Sequence, residues 1–117
     1  MKGTVSNAFN SAEGHLGVDV AASDENEPIR CTLDGTIISA SFTTEDGYVI
    51  AVQHSDNLIS IYKHNAALLK KPGEYVKAGD PIAIVGNSGE QISGPHLHFE
   101  LWYNGTPINP VDYMVFQ

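Results

Sequence analysis

From position 96 to 103 the chain alternates strictly. Leu97, Phe99, Leu101 and Tyr103 fall on one side, and His96, His98, Glu100 and Trp102 on the other. A period of two is the signature of a strand with one buried face. The stretch HLGVDV at 15–20 does the same, with Leu16, Val18 and Val20 turned inward and His15, Gly17 and Asp19 facing the other way. Further short strands are predicted over 29–32, 35–42, 48–54, 58–64 and 81–85, and a short one followed by loop within 4–14. Between them stand turn signals: Asp34-Gly35, Asp46-Gly47, Pro72-Gly73, Gly79-Asp80, Gly86-Asn87 and Asn104-Gly105. The acidic, polar stretch 21–28 reads as loop. The only helix-like piece is NAALLKK at 65–71, where Asn65 would cap and Pro72-Gly73 would terminate one or two turns. The expected fold is all-β: a single antiparallel β-rich domain with glycine-rich turns, barrel- or sandwich-like, with at most one very short helix. Short strands of this kind must fold back on one another or close up to avoid bare edges.

Length and charge narrow the classes of function. At 117 residues the chain is long enough to build one hydrophobic core without staples, and 42% hydrophobic with 17% charged residues is ordinary for a folded domain. Six basic against fourteen acidic residues leave a net charge of −8, with no Lys/Arg cluster. That balance repels phosphate backbones and anionic membranes, so nucleic acid is excluded as a partner. No apolar run reaches the ~18 residues of a membrane span, so direct membrane insertion is not expected. No signal-peptide pattern opens the chain. Met1 followed at once by strand-like sequence suggests one domain, 1–117, cut from a longer protein. Cys31 is the only cysteine, which rules out an intrachain disulfide and fits a small buried residue. Nothing here sets an oligomeric state.

Candidate chemistry lies with five histidines: His15, His54, His64, His96 and His98. His96 and His98 share one strand face, ~7 Å apart at ~3.3 Å per residue, so that one can hold a metal while the other reaches an atom bound to it. His15 and Asp19 stand on a common face four residues apart. Together with His98 they would offer two imidazoles and one carboxylate, leaving a fourth tetrahedral position open, as in catalytic rather than structural zinc sites. His64 ends the strand SIYKH on the side of Ser60 and Tyr62, away from Ile59 and Ile61. A histidine at a strand end beside a loop suits a reactive role. Glu100 lies on the face of His98 and is a candidate for orienting its ring; the plainer reading is a solvated strand carboxylate.

H-x-x-x-D, then Y-x-H at a strand end, then GPHLHFEL occur in that order. Together with the glycine-punctuated run GEYVKAGDPIAIVGNSG and the NGTPINPVDYM segment, they resemble the lysostaphin-type (LytM-like) zinc metallopeptidases that cut peptide cross-bridges of bacterial cell walls. The resemblance covers nearly all of residues 5–114. It implies that His15, Asp19 and His98 bind one Zn²⁺, that His64 and His96 are the catalytic histidines, and that His54 is structural. It further implies a zinc metalloendopeptidase acting on cross-links or stem peptides of peptidoglycan, exported to the periplasm or cell envelope. The short segment between Phe9 and His15 lacks an arginine that many family members carry there, and Asn65 follows His64 where Leu or Met is usual.

The expected chemistry is zinc-assisted amide hydrolysis. Zinc lowers the pKa of a water from 15.7 to roughly 7, and an imidazole, ordinarily near pKa ~6.5, can take that proton or steady the oxyanion. No H-E-x-x-H supplies a glutamate base. Two rivals remain. Relatives that lose ligands keep the fold and activate other wall hydrolases, but all five implicated residues are present here. VKAGDPIAIVG also resembles half of a biotinyl or lipoyl domain; no lysine stands at a hairpin tip to carry the cofactor.

Overall fold

The computed structural model describes residues 4–10, 16–21, 27–86 and 96–110. Within them ten strands form one sheet: β1 (Thr4–Asn7), β2 (Val18–Ala21), β3 (Pro28–Arg30), β4 (Gly35–Thr43), β5 (Gly47–Gln53), β6 (Leu58–Leu68), β7 (Tyr75–Val76), β8 (Pro81–Val85), β9 (His96–Tyr103) and β10 (Thr106–Ile108). Every pairing is antiparallel, and the main path runs β1-β2-β9-β6-β5-β4-β7. A side limb, β3–β8, joins through β6, and β10 folds back on β9. Among the described residues the sheet does not close into a barrel. Instead, one apolar cluster draws from both limbs: Val18, Val20, Phe99, Leu101, Ile50 and Val52 from the main path, and Ile29, Ile82 and Val85 from the other. That cluster gives the sandwich-like packing its cohesion. Each fully buried aliphatic or aromatic side chain contributes roughly 1.5–3 kcal/mol.

The strand at 96–103 has the bounds its alternation predicts, and Leu97, Phe99 and Leu101 are buried. The Asn104-Gly105 turn has φ of 50° and 78°, and Tyr103 pairs with Thr106 across it. Two successive positive φ values make the two-residue hairpin that favours Asn-Gly.

Strand β6 departs from expectation twice. Residues 65–68 are not helical; they continue β6 and pair with β8 through Asn65–Val85, Ala67–Ile84 and Leu68–Ala83. Asn65, expected as a cap, is fully buried and donates its side-chain amide to the carbonyls of Tyr48 and Tyr62 at 2.9 Å each. The second departure concerns the face. Ser60 and Tyr62, not Ile59 and Ile61, point into the core, with 0% and 1% exposure. Their polar atoms are satisfied by a chain of contacts. His54 donates Nδ1–H to the Asp34 carbonyl at 2.8 Å, its Nε2 lies 2.7 Å from Ser60 Oγ, and Ser60 Oγ lies 2.9 Å from the Tyr62 hydroxyl. The Thr32 N–H reaches the same hydroxyl at 3.2 Å. Buried polar groups are tolerated when paired in this way. His54 and Cys31 are both buried, and neither faces the site described next.

Candidate metal and catalytic site

The site is built on the face of β9 turned away from the core. Directly paired residues of an antiparallel ladder share a face. Asp19 pairs with His98, and His98 with Lys63, so the three form a row across β2, β9 and β6. The neighbouring inward row is Val18, Phe99 and Tyr62, with the Tyr62 and Phe99 ring centroids 5.1 Å apart. Burial of that inner row fixes the register, because a slip of one residue would turn the apolar set outward. The same register brings Asp19 Oδ1 to 2.7 Å from His98 Nδ1 across 79 residues of sequence.

His64 reaches this face through a bulge. Between the pairs Ile50–Tyr62 and Tyr48–Asn65, β6 advances three residues while β5 advances two. The extra residue sits at His64, whose φ of 67° is left-handed, and its N–H donates to the Asp46 carbonyl at 2.8 Å. A residue without that bulge would follow Tyr62 into the core. The bulge re-aims it, so that His64 lies beside His96 and His98, at ring-centroid distances of 5.7 and 6.1 Å. It thus stands on the face opposite the expected one, that of Ser60 and Tyr62. The position is also a fork. Up to Lys63, β6 pairs with β9, and from Asn65 on it pairs with β8. His96 bridges to Gly86 at the end of β8. The two imidazoles therefore meet where β8 and β9 part.

Of the sequence-predicted residues, Asp19, His98, His64 and His96 come together; His15 lies outside the described residues. Among the described residues, Asp19 and His98 form a pair of possible metal donors, not a triad. A carboxylate oxygen facing an imidazole nitrogen suits zinc, and the donor set contains no competing thiolate. A shared proton and a shared cation both answer this arrangement.

The other ring nitrogen of His98, Nε2, lies 2.9 Å from Glu100 Oε2. Glu100 is not a solvated carboxylate: it is 6% exposed, takes an ion pair from Lys63 Nζ at 3.1 Å and accepts the Trp102 indole N–H at 2.9 Å. Burial works against a charge on His98, but the bonds to Asp19 and Glu100 outweigh it and raise its pKa from 6.5 to about 9 in the metal-free protein. Burial likewise opposes a charged Glu100, yet His98, Trp102 and Lys63 lower its pKa from 4.5 to about 2. Burial disfavours the Lys63 charge too, while Glu100 and Asp46 hold its pKa above the usual lysine value. Sequence reasoning missed Lys63 and Trp102. Trp102 was legible as a face-mate of His98 and Glu100, whereas Lys63 required the β6–β9 register.

Residues 13–110 match the family model for peptidase family M23. The chain belongs to peptidase family M23. Its M23 relatives include the murein hydrolase activator NlpD of Escherichia coli, 36% identical over 115 residues, or 97% of this chain and 30% of NlpD. The DD-carboxypeptidase/endopeptidase Mpg of Neisseria meningitidis is 35% identical over 97 residues, covering 83% of this chain and 22% of Mpg. Among solved M23-like structures, a zinc-containing peptidase from Vibrio cholerae superposes with a TM-score of 0.84 at 28% identity, over 97% of this chain and 37% of that one. The chain thus spans less than a third of the two curated relatives' length.

Proposed function

We propose that this M23 domain is a zinc metalloendopeptidase that hydrolyses the peptide cross-links or stem peptides of bacterial peptidoglycan. The observation that carries the reading is the convergence of Asp19 and His98, 2.7 Å apart, with His64 and His96 beside them. His15, Asp19 and His98 would hold the zinc ion. Bound zinc supplies Lewis acidity, which polarises a carbonyl and makes hydroxide available near neutral pH.

The chain's own groups do the rest. An extended peptide would lie against His64 and His96, which stand together where β8 and β9 part. Between them the two imidazoles accept the proton of the attacking water, return a proton to the leaving amine, and donate a hydrogen bond to the carbonyl oxygen as charge gathers there. Both are placed by backbone: His64 by its bulge, His96 by its bridge to Gly86.

Peptidoglycan lies outside the cytoplasmic membrane, so the reading carries with it a longer, exported protein of the periplasm or cell envelope. No helix among the described residues is long and apolar enough to cross a membrane. The test is digestion of purified sacculi, with mass spectrometry of the released muropeptides, with and without chelator. Chelator-sensitive release of peptide-cleaved fragments is expected, and a zinc-loaded protein that releases none refutes the reading.

The second reading is an inactive activator of other wall hydrolases, favoured by the 36% identity to NlpD. The presence of Asp19, His64, His96 and His98 weighs against it. Stimulation of another murein hydrolase by protein that releases nothing alone would establish it.

A further inference from the structure

We propose that Glu100 is a positioning residue of this site: by accepting the Nε2–H of His98 it fixes the ring so that Nδ1 faces Asp19. The inference rests on the zinc reading given above.

The argument begins with donors and acceptors. Around Glu100 stand three donors: Lys63 Nζ and His98 Nε2 at 3.1 and 2.9 Å from Oε2, and Trp102 Nε1 at 2.9 Å from Oε1. An ionised carboxylate only accepts, so the ring nitrogen facing it must carry hydrogen. In this structure Nδ1 faces the Asp19 carboxylate at 2.7 Å and also carries hydrogen; were zinc to take the place of that proton, Glu100 would keep the Nε2–H and leave the Nδ1 lone pair for the ion. The carboxylate is itself held from several directions. Lys63 is anchored further by Asp46 at 3.4 Å, and Gly17 packs so closely that an added Cβ would stand 2.8 Å from Glu100 Cγ. A group that fixed cannot follow the ring if it rotates; the ring must conform to the group. Histidines that bind metals commonly donate their second N–H to such an acceptor, and loss of that acceptor typically costs 10–100-fold in metal affinity.

An ion pair that merely stabilises the fold would lower the melting temperature and leave the metal affinity alone, so affinity is the deciding readout. Zinc dissociation constants are measured by competition with a chromophoric chelator for wild type, His98→Ala, Glu100→Ala, Glu100→Gln and Trp102→Phe, alongside circular dichroism of the metal-free proteins. Glu100→Ala is expected to bind zinc 10–100-fold more weakly than wild type. Glu100→Gln, which keeps one acceptor oxygen, should fall between them, and Trp102→Phe should show a smaller loss in the same direction. If Glu100→Ala fails to fold, the Gln and Trp102→Phe variants decide. A wild type that binds zinc tightly, with Glu100 variants within twofold of it, overturns this inference alone. A wild type that binds no zinc, or a His98→Ala variant that binds it undiminished, overturns the zinc reading and this inference with it.

Discussion

Gly17→Ala probes the site without touching a donor atom. Gly17 precedes β2, where a Cβ would stand 2.3 Å from the Phe99 carbonyl oxygen, 2.8 Å from Glu100 Cγ and 3.0 Å from the Phe99 carbonyl carbon. The nearest obstacle is backbone and cannot swing aside. Restoring ordinary contact of 3.4 Å requires the strands to part by about 1 Å at this point. Overpacking of this kind costs ~1–3 kcal/mol, and each kcal/mol lowers the melting temperature by roughly 3–6 °C in a domain of this size. The displacement lies only two residues from Asp19, whose 2.7 Å approach to His98 depends on that same β2–β9 contact. A misplacement of ~1 Å can cost about 100-fold in rate where reacting groups must be aligned, and here it also pulls one donor of the zinc pair out of register. Thermal melts of the metal-free variant and zinc titration against a chelating dye are the assays. A lower melting temperature together with much weaker zinc binding is expected. Wild-type zinc affinity with an unchanged melt would show that β2 does not lie on β9 as described, and the pairing of Asp19 with His98 would fall too.

Asp19→Ala and His98→Ala should each lose zinc and activity together while keeping their far-ultraviolet circular dichroism, since the core is built from the opposite face; metal analysis of the purified variants checks this. His64→Ala should retain zinc and lose turnover on sacculi, and full activity would remove His64 from the mechanism. The metal-free protein should also show a defined pH optimum of stability. His98 has a pKa raised from 6.5 to about 9, so its contribution is complete below pH 6.5 and disappears as pH rises through about 9. Glu100 has a pKa lowered from 4.5 to about 2, so its contribution is complete above pH 4.5 and disappears as pH falls through about 2. Urea midpoints measured in chelator should therefore peak between about pH 4.5 and 6.5; a profile still rising toward pH 9 would contradict the arrangement around His98.

Alternation made β9 legible to the residue, and proline and glycine punctuation did the same for β8. Elsewhere local signals misled for identifiable reasons. Ile59 and Ile61 have the greater hydrophobicity, but Ser60 and Tyr62 took the core because His54 and Thr32 satisfy their polar atoms. Asn65 carries a capping side chain, yet spends it on the carbonyls of Tyr48 and Tyr62, leaving residues 65–68 to join β8. Strands β7 and β10, of two and three residues, are too short to show a period. That Asp19, His64, His96 and His98 lie together was readable from motif order, while His15 falls outside the described residues. Its construction was not: a partner strand, a bulge and a fork are properties of pairing, which no single segment displays.

The left-handed residue at position 64 also sets a rule about length. Strand faces depend on the parity of the count, so the two residues separating Tyr62 from Asn65 act as a spacer that lets both flanking residues point inward while an imidazole points out. Removing His64 would restore alternation across this interval and empty that place beside His96, whereas removing Lys63 would draw the imidazole into the row of Asp19 and His98. Insertions and deletions within this short interval should therefore be far less tolerated than substitutions.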